Sequence, residues 1–121
     1  MIKDYTMTNA EYRFACIVWE QEPIESAQLC KICEGRLGWK RTTTYTVLKR
    51  LCEREMMQNS AAVVTSLVRQ DQVQQQTSQG IVKSRFDDNL PQFVTAFLNG
   101  RKISKEEAEQ IKALIDANKM D

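Results

Sequence analysis

The sequence predicts a mostly α-helical protein with one small β-hairpin, a winged helix-turn-helix domain over 1–69 followed by a helical region over 70–121. Three observations predict it. Three stretches ahead of Glu55 repeat apolar residues at the helical period. A β-branched run, Val63-Val64-Thr65, follows the third stretch after a polar gap. Beyond it lie two short apolar segments with helix-start signals and too little sequence to bury their own apolar faces.

Composition sets the outer bounds. At 121 residues, 42% hydrophobic and 27% charged, the chain is a folded one. Seventeen basic residues against sixteen acidic ones leave a net +1, so total charge names no partner. The distribution is more informative. Arg36, Lys40, Arg41, Lys49, Arg50 and Arg54 face one acidic residue, Glu53, within a single short stretch. The absence of His removes the commonest general base, the Ser-His triad and the usual zinc chemistry. No nucleophile–base pair stands out, so the expectation is a non-enzyme without cofactor or metal. Of the four cysteines, Cys30 and Cys33 in "CKIC" have motif spacing. A redox role would need a thioredoxin-like setting and a zinc role a second ligand pair, and neither is visible. No apolar run reaches the roughly 18–20 residues of a membrane span, and "MIKDYTMTNAEY" is too polar for a signal peptide. A cytoplasmic location without membrane insertion is expected.

The elements follow in order. In "TNAEYRFACIVWE" (8–20), Tyr12, Ala15, Cys16 and Trp19 share a helix face, Thr8 is the N-cap and Glu11 completes a capping box. Pro23 ends that helix. Over 25–37, Ser26, Leu29, Cys30, Cys33 and Leu37 share a second face, and Gly35 and Gly38 break the helix. The "CKIC" thiols thereby fall on core positions. "GWKRTTTYTVLKRL" (38–51) has the composition of a strand, but Thr44, Val47, Leu48 and Leu51 keep the helical spacing. The period outweighs propensity, which predicts a helix over about 40–55 with Thr42, Thr46, Lys49 and Arg50 away from its apolar stripe. "MMQNSAAVVTSLV" reads as two strands joined near Ser60–Ala62. Asp71 to Arg85 is Gln-rich, and Val73, Thr77 and Ile81 mark it as a connecting helix. "NLPQFVTAFLNG" is a short helix with Pro91 near its start and Gly100 at its stop. Ser104 to Glu107 is a second capping box, with Ile103 ahead of it as a staple.

Hydroxyls and an Arg can reach base edges, while Lys and Arg neutralise phosphates. The candidate DNA-binding residues are Lys40, Arg41, Thr42, Thr43, Tyr45, Thr46, Lys49 and Arg50. Thr43 and Thr46 are placed near bases, Lys49 and Arg50 on phosphates, and Lys40 and Arg41 at the helix start in either role. Leu90, Phe93, Val94, Phe97 and Leu98 on one short helix and Ile111, Leu114 and Ile115 on the next need a partner. An identical subunit is the economical one, which makes 70–121 a helical dimerisation domain.

With these pieces in this order, the chain resembles the BlaI/MecI/CopY, or penicillinase repressor, family of transcriptional regulators over nearly all of 7–119. The resemblance rests on "TNAEYRFACIVW", on Trp39, Thr43, Thr46, Leu48, Arg50 and Leu51 in a W-x-x-x-T-x-x-T-x-L-x-R-L pattern, and on "TSLV", "FDDNLPQFVTAFL" and "ISKEEAEQIKALID". It implies a homodimer on a palindromic double-stranded operator, repressing antibiotic-resistance or metal-homeostasis genes. In β-lactam-responsive members it also implies a membrane sensor metalloprotease system and cleavage in the C-terminal helices, which carries over to the bond between Ala96 and Phe97. The sequence departs from the family where Ala96 replaces the usual Asn. It departs again at Glu55, where a helix-ending Gly is typical, and in a shortened wing that has lost its basic and glycine residues. A rival reading from another class is a winged-helix protein–protein interaction module with little DNA affinity. A third is a thiol redox or metal sensor built on Cys30 and Cys33.

Overall fold

The computed structural model of the chain describes residues 3–121; the first two residues of the polar N-terminal stretch lie outside the described residues. The elements run α1 (Asn9–Gln21), β1 (Ile24–Glu25), α2 (Ser26–Leu37), α3 (Arg41–Glu53), β2 (Met57–Ser60), β3 (Val63–Ser66), α4 (Gln70–Arg85), α5 (Leu90–Leu98) and α6 (Lys105–Asn118). This is the mostly helical winged-helix fold that the sequence predicts. Two compact units divide the chain, the first ending at Gln79 and the second running Gly80–Asp121, so the division falls inside α4.

In the first unit, α1 begins at a reciprocal cap. The Thr8 hydroxyl accepts from the Glu11 N–H at 3.1 Å, and the Glu11 carboxylate accepts from the Thr8 N–H at 2.8 Å. The buried face of α1 differs from the expected one. Phe14, Ala15, Ile17 and Val18 enter the core, while Tyr12, Cys16 and Trp19 form a half-buried second stripe. Trp19 sits there because its indole N–H donates to the Val68 carbonyl at 2.9 Å, a polar partner that full burial among apolar side chains would deny it. In α2 the buried residues are Ser26, Leu29, Cys30 and Cys33. Gly35 lies within this helix and does not break it; Gly38 does, taking φ 70 at the C-cap, where a residue with a Cβ is strained. Thr44, Val47, Leu48 and Leu51 are the buried face of α3, as the spacing predicts.

The sheet has three antiparallel strands in the order β1-β3-β2, not two. Ile24 and Glu25 pair with Val64 and Val63, adding a strand that the sequence did not reveal. Met57, Gln58, Asn59 and Ser60 pair with Ser66, Thr65, Val64 and Val63. The two-residue connection between β2 and β3 is Ala61-Ala62, with φ 52 and 63. A tight hairpin needs φ > 0 at both positions, a conformation in which a Cβ is costly. Replacing Ala61→Asn together with Ala62→Gly is therefore expected to stabilise the protein by about 1 kcal/mol and to raise the thermal midpoint by roughly 3–6 °C. A calorimetric scan with an unmoved midpoint would show that this turn holds no strain.

The core joins Phe14 and Val18 of α1, Leu29 and Cys33 of α2, Leu48 and Leu51 of α3, Met56, Met57, Val64 and Val73. Of the Val73, Thr77 and Ile81 stripe on α4, Val73 alone is buried. The remaining attachment of α4 is polar. Gln70 and Gln74 donate to the Tyr12 hydroxyl at 3.1 and 3.3 Å, and Gln76 donates to the Lys3 carbonyl while accepting from the Tyr5 N–H.

In the second unit, the Asn89 side chain accepts from the Gln92 N–H and starts α5, with Pro91 in its first turn. Ser104 accepts from the Glu107 N–H and starts α6. The expected box at Ser104 is thus seen as this one bond. Phe86, Phe93 and Phe97 form a chain of ring contacts 5.3 and 6.3 Å apart. Among the described residues, none from Gly80 to Asp121 is buried. No helix among them is long and apolar enough to cross a membrane.

Candidate nucleic-acid interface

The helix that concentrates the basic and hydroxyl residues is α3. Its position follows from the turn before it. Gly38 ends α2 with its N–H on the Glu34 carbonyl, and Trp39 stacks on Phe14 with ring centroids 5.9 Å apart. These contacts fix where α3 starts. The buried stripe then sets its rotation. At about 100° per residue, Thr42, Thr46, Lys49 and Glu53 lie directly opposite Thr44, Val47, Leu48 and Leu51. Thr43 and Arg50 lie on one flank, and Arg41, Tyr45 and Cys52 on the other. Lys40, Arg41, Thr42, Thr43, Thr46, Lys49 and Arg50 are exposed and Tyr45 is half-buried.

Lys40 is the N-cap and makes no side-chain capping bond, and the first turn holds no acidic residue. Positive side chains at this end oppose the helix dipole, so an approaching anion is favoured there. The Thr46 hydroxyl donates to the Thr42 carbonyl at 2.8 Å. Its proton is thereby used within the helix, and what it offers outward is an acceptor oxygen and a methyl group. On the flank, Tyr45 donates to the Ser26 hydroxyl at 3.2 Å, and the Arg41 guanidinium lies 5.6 Å from the Tyr45 ring centre. Tyr45, Lys49 and Cys52 also border a cleft of about 450 Å³ whose other wall is Met57, Gln58, Asn59 and Leu67. This cleft separates α3 from β2. The β2–β3 connection and the exposed part of β2 carry Gln58, Asn59, Ser60, Ala61 and Ala62, all uncharged.

Arg50 has a different environment from Lys49. Its Nε donates to Glu11 Oε2 at 2.9 Å, joining α3 to the start of α1. The Glu11 side chain is only 5% exposed, against 52% for Arg50. Arg54 adds a longer contact to Glu11 at 4.0 Å and donates to the carbonyls of Thr6 and Asp4 at 2.6 and 3.2 Å. Burial pushes the Glu11 carboxyl up, but the Thr8 N–H and the Arg50 guanidinium outweigh it and hold its pKa below the ordinary carboxylate range. Spacing along the sequence could not reveal this pair, because its members are 39 residues apart.

Cys30 and Cys33 are buried, and burial pushes the Cys33 thiol up, with the Thr44 hydroxyl working the other way. A thiol so placed is a poor nucleophile. Among the described residues, no group of three or more His, Cys, Asp or Glu side chains could hold a metal ion.

The model of the penicillinase repressor family matches residues 7–117. The methicillin resistance regulatory protein MecI of Staphylococcus aureus is 20% identical over 118 residues, which cover 94% of this chain and 96% of that protein.

Proposed function

The chain belongs to the penicillinase repressor family of transcriptional repressors, and from that premise we propose that it binds a palindromic operator as a cytoplasmic homodimer, with one α3 in each half-site. The observation that carries this reading is the outward stripe of α3. It presents Thr42, Thr46, Lys49 and, at its C-terminal end, Glu53 to solvent, flanked by Lys40, Arg41, Thr43, Tyr45 and Arg50, on a helix whose opposite face is locked in the core. Thr46 accepts from an adenine or cytosine amino group, and Lys40 and Lys49 neutralise phosphates. The apolar faces of α5 and α6 supply the dimer contacts, and cleavage between Ala96 and Phe97 by a membrane sensor metalloprotease system supplies release. The similarity to a methicillin resistance regulatory protein supports a place in antibiotic-resistance control.

Salt dependence is the test. Each phosphate neutralised contributes about −0.9 to the slope of log affinity against log salt. For a dimer, Lys49→Ala removes two such contacts, so the slope is expected to become shallower by roughly 2, with all duplex sequences weakened alike. The uncharged stretch from Gln58 to Ala62 favours a second reading, a protein–protein module. A wild-type chain that binds no duplex at low salt would decide for that module.

A further inference from the structure

Arg41 is the one cation of α3 with its side chain laid on an aromatic ring, 5.6 Å from the centre of Tyr45. Resting on the repressor reading above, we propose that Arg41 reads a guanine in each half-site, and that Tyr45 and Ser26 are the positioning residues that aim it.

Tyr45 stands one turn after Arg41 on the same flank, the i, i+4 relation that lets two helical side chains meet. The ring is itself held. Its hydroxyl donates to Ser26, a buried residue that opens α2. A guanidinium lying over a fixed ring keeps its N–H donors at its free edge, in one plane. Guanine offers two acceptors, O6 and N7, spaced for that fork. A phosphate accepts the same fork but carries no sequence information, and Lys40 and Lys49, whose ammonium groups turn freely, suffice to neutralise it. Position supports the same assignment. Arg41 is the first residue of α3, side chains in a helix lean toward its N-terminus, and it is the N-terminal residues of a recognition helix that meet base edges.

The test uses the full chain and a pool of randomised duplexes, followed by affinity measurements on single-base variants of the selected site. The wild-type chain is expected to select a G·C pair in each half-site, and replacing that guanine should lower affinity roughly 5- to 150-fold. In Arg41→Ala this preference should fall to near unity, while preferences at other positions persist. Tyr45→Ala should weaken discrimination at the same base pair. Tyr45→Phe keeps the ring but removes its hydrogen bond to Ser26, so its discrimination should fall between that of the wild-type chain and that of Tyr45→Ala; full retention would remove Ser26 from the proposal. A fall in affinity for every sequence alike in Arg41→Ala, together with a shallower salt slope, would assign Arg41 to phosphate and overturn the proposal alone. A wild-type chain that enriches no sequence overturns the repressor reading as well.

Discussion

A chain ending at Ala96 is expected to sediment as a monomer and to bind an operator duplex at least a hundredfold more weakly than the intact chain. The physical reason lies in the second unit. From Gly80 onward, none of the described residues is buried, yet α5 and α6 carry large apolar side chains. Leu90, Phe97, Leu114 and Ile115 are 59%, 50%, 63% and 59% exposed. Burying one such side chain fully is worth about 1.5–3 kcal/mol, so pairing these faces across two chains is the favourable route. A groove of about 450 Å³ between α5 and α6, bordered by Phe93, Val94, Phe97, Leu98, Ile103 and Ile111, gives those faces a shape to receive another chain's side chains. Truncation at Ala96 removes Phe97, Leu98 and all of α6. Each monomer then engages one half-site alone, and the gain from tethering a second binding unit, about 10²–10⁴ in affinity, is lost. Sedimentation equilibrium and a duplex titration on both chains check this. A truncated chain that remains dimeric and binds as tightly would remove the C-terminal helices from the mechanism.

Glu11→Ala should destabilise the first unit by about 2–3 kcal/mol, although Glu11 lies outside the proposed DNA surface. It loses one half of the α1 cap, worth about 1 kcal/mol, and the ion pair with Arg50. Breaking a fully buried pair costs about 3–5 kcal/mol, and the half-exposed Arg50 reduces that figure. Arg50→Ala should cost a similar amount by leaving Glu11 with fewer partners, and the double variant should lose less than the sum of the two. Because the folded Glu11 binds protons less readily than the unfolded one, its contribution is complete above the ordinary glutamate range. It disappears as pH falls through the lower folded value. Glu11→Gln should therefore flatten the acid limb of the stability profile. The same pair bears on recognition. With Nε committed to Glu11, Arg50 orients α3 against α1, so Arg50→Ala should leave the salt slope nearly unchanged where Lys49→Ala makes it shallower. Additive single variants and an unaltered acid limb would mean that the pair is a surface contact only.

Periodic features were legible in the sequence. Thr44, Val47, Leu48 and Leu51 recur at helical spacing, and both Thr8–Glu11 and the α2 face of Cys30 and Cys33 follow from local rules. What escaped is what distance or shortness conceals. β1 is two residues long, too short for alternation to show, and it is a strand only because Val63 and Val64 lie beside it. On α1 two apolar stripes compete, and packing against α2, α3 and β3 turns Phe14 and Val18 inward in place of Tyr12 and Trp19. Arg50 reads as one more exposed cation until Glu11 is brought against it. Arg41 and Tyr45 lie one turn apart in the sequence, so their contact could have been found, but nothing local pointed to Ser26 as the group that fixes the ring.

The Gln side chains of α4 have a mechanical consequence. Gln70 and Gln74 hold Tyr12, and Gln76 holds the backbone of Lys3 and Tyr5, all through neutral amides. A joint of this kind gathers no counterions and feels little of the screening that shortens the reach of charges in an electrolyte. In a protein whose proposed ligand is a polyelectrolyte, rising ionic strength then loosens the grip on the duplex while the attachment of α4 to α1 keeps its stiffness. Ionic stress is thus expected to detach the molecule from DNA while leaving α4 fastened to α1.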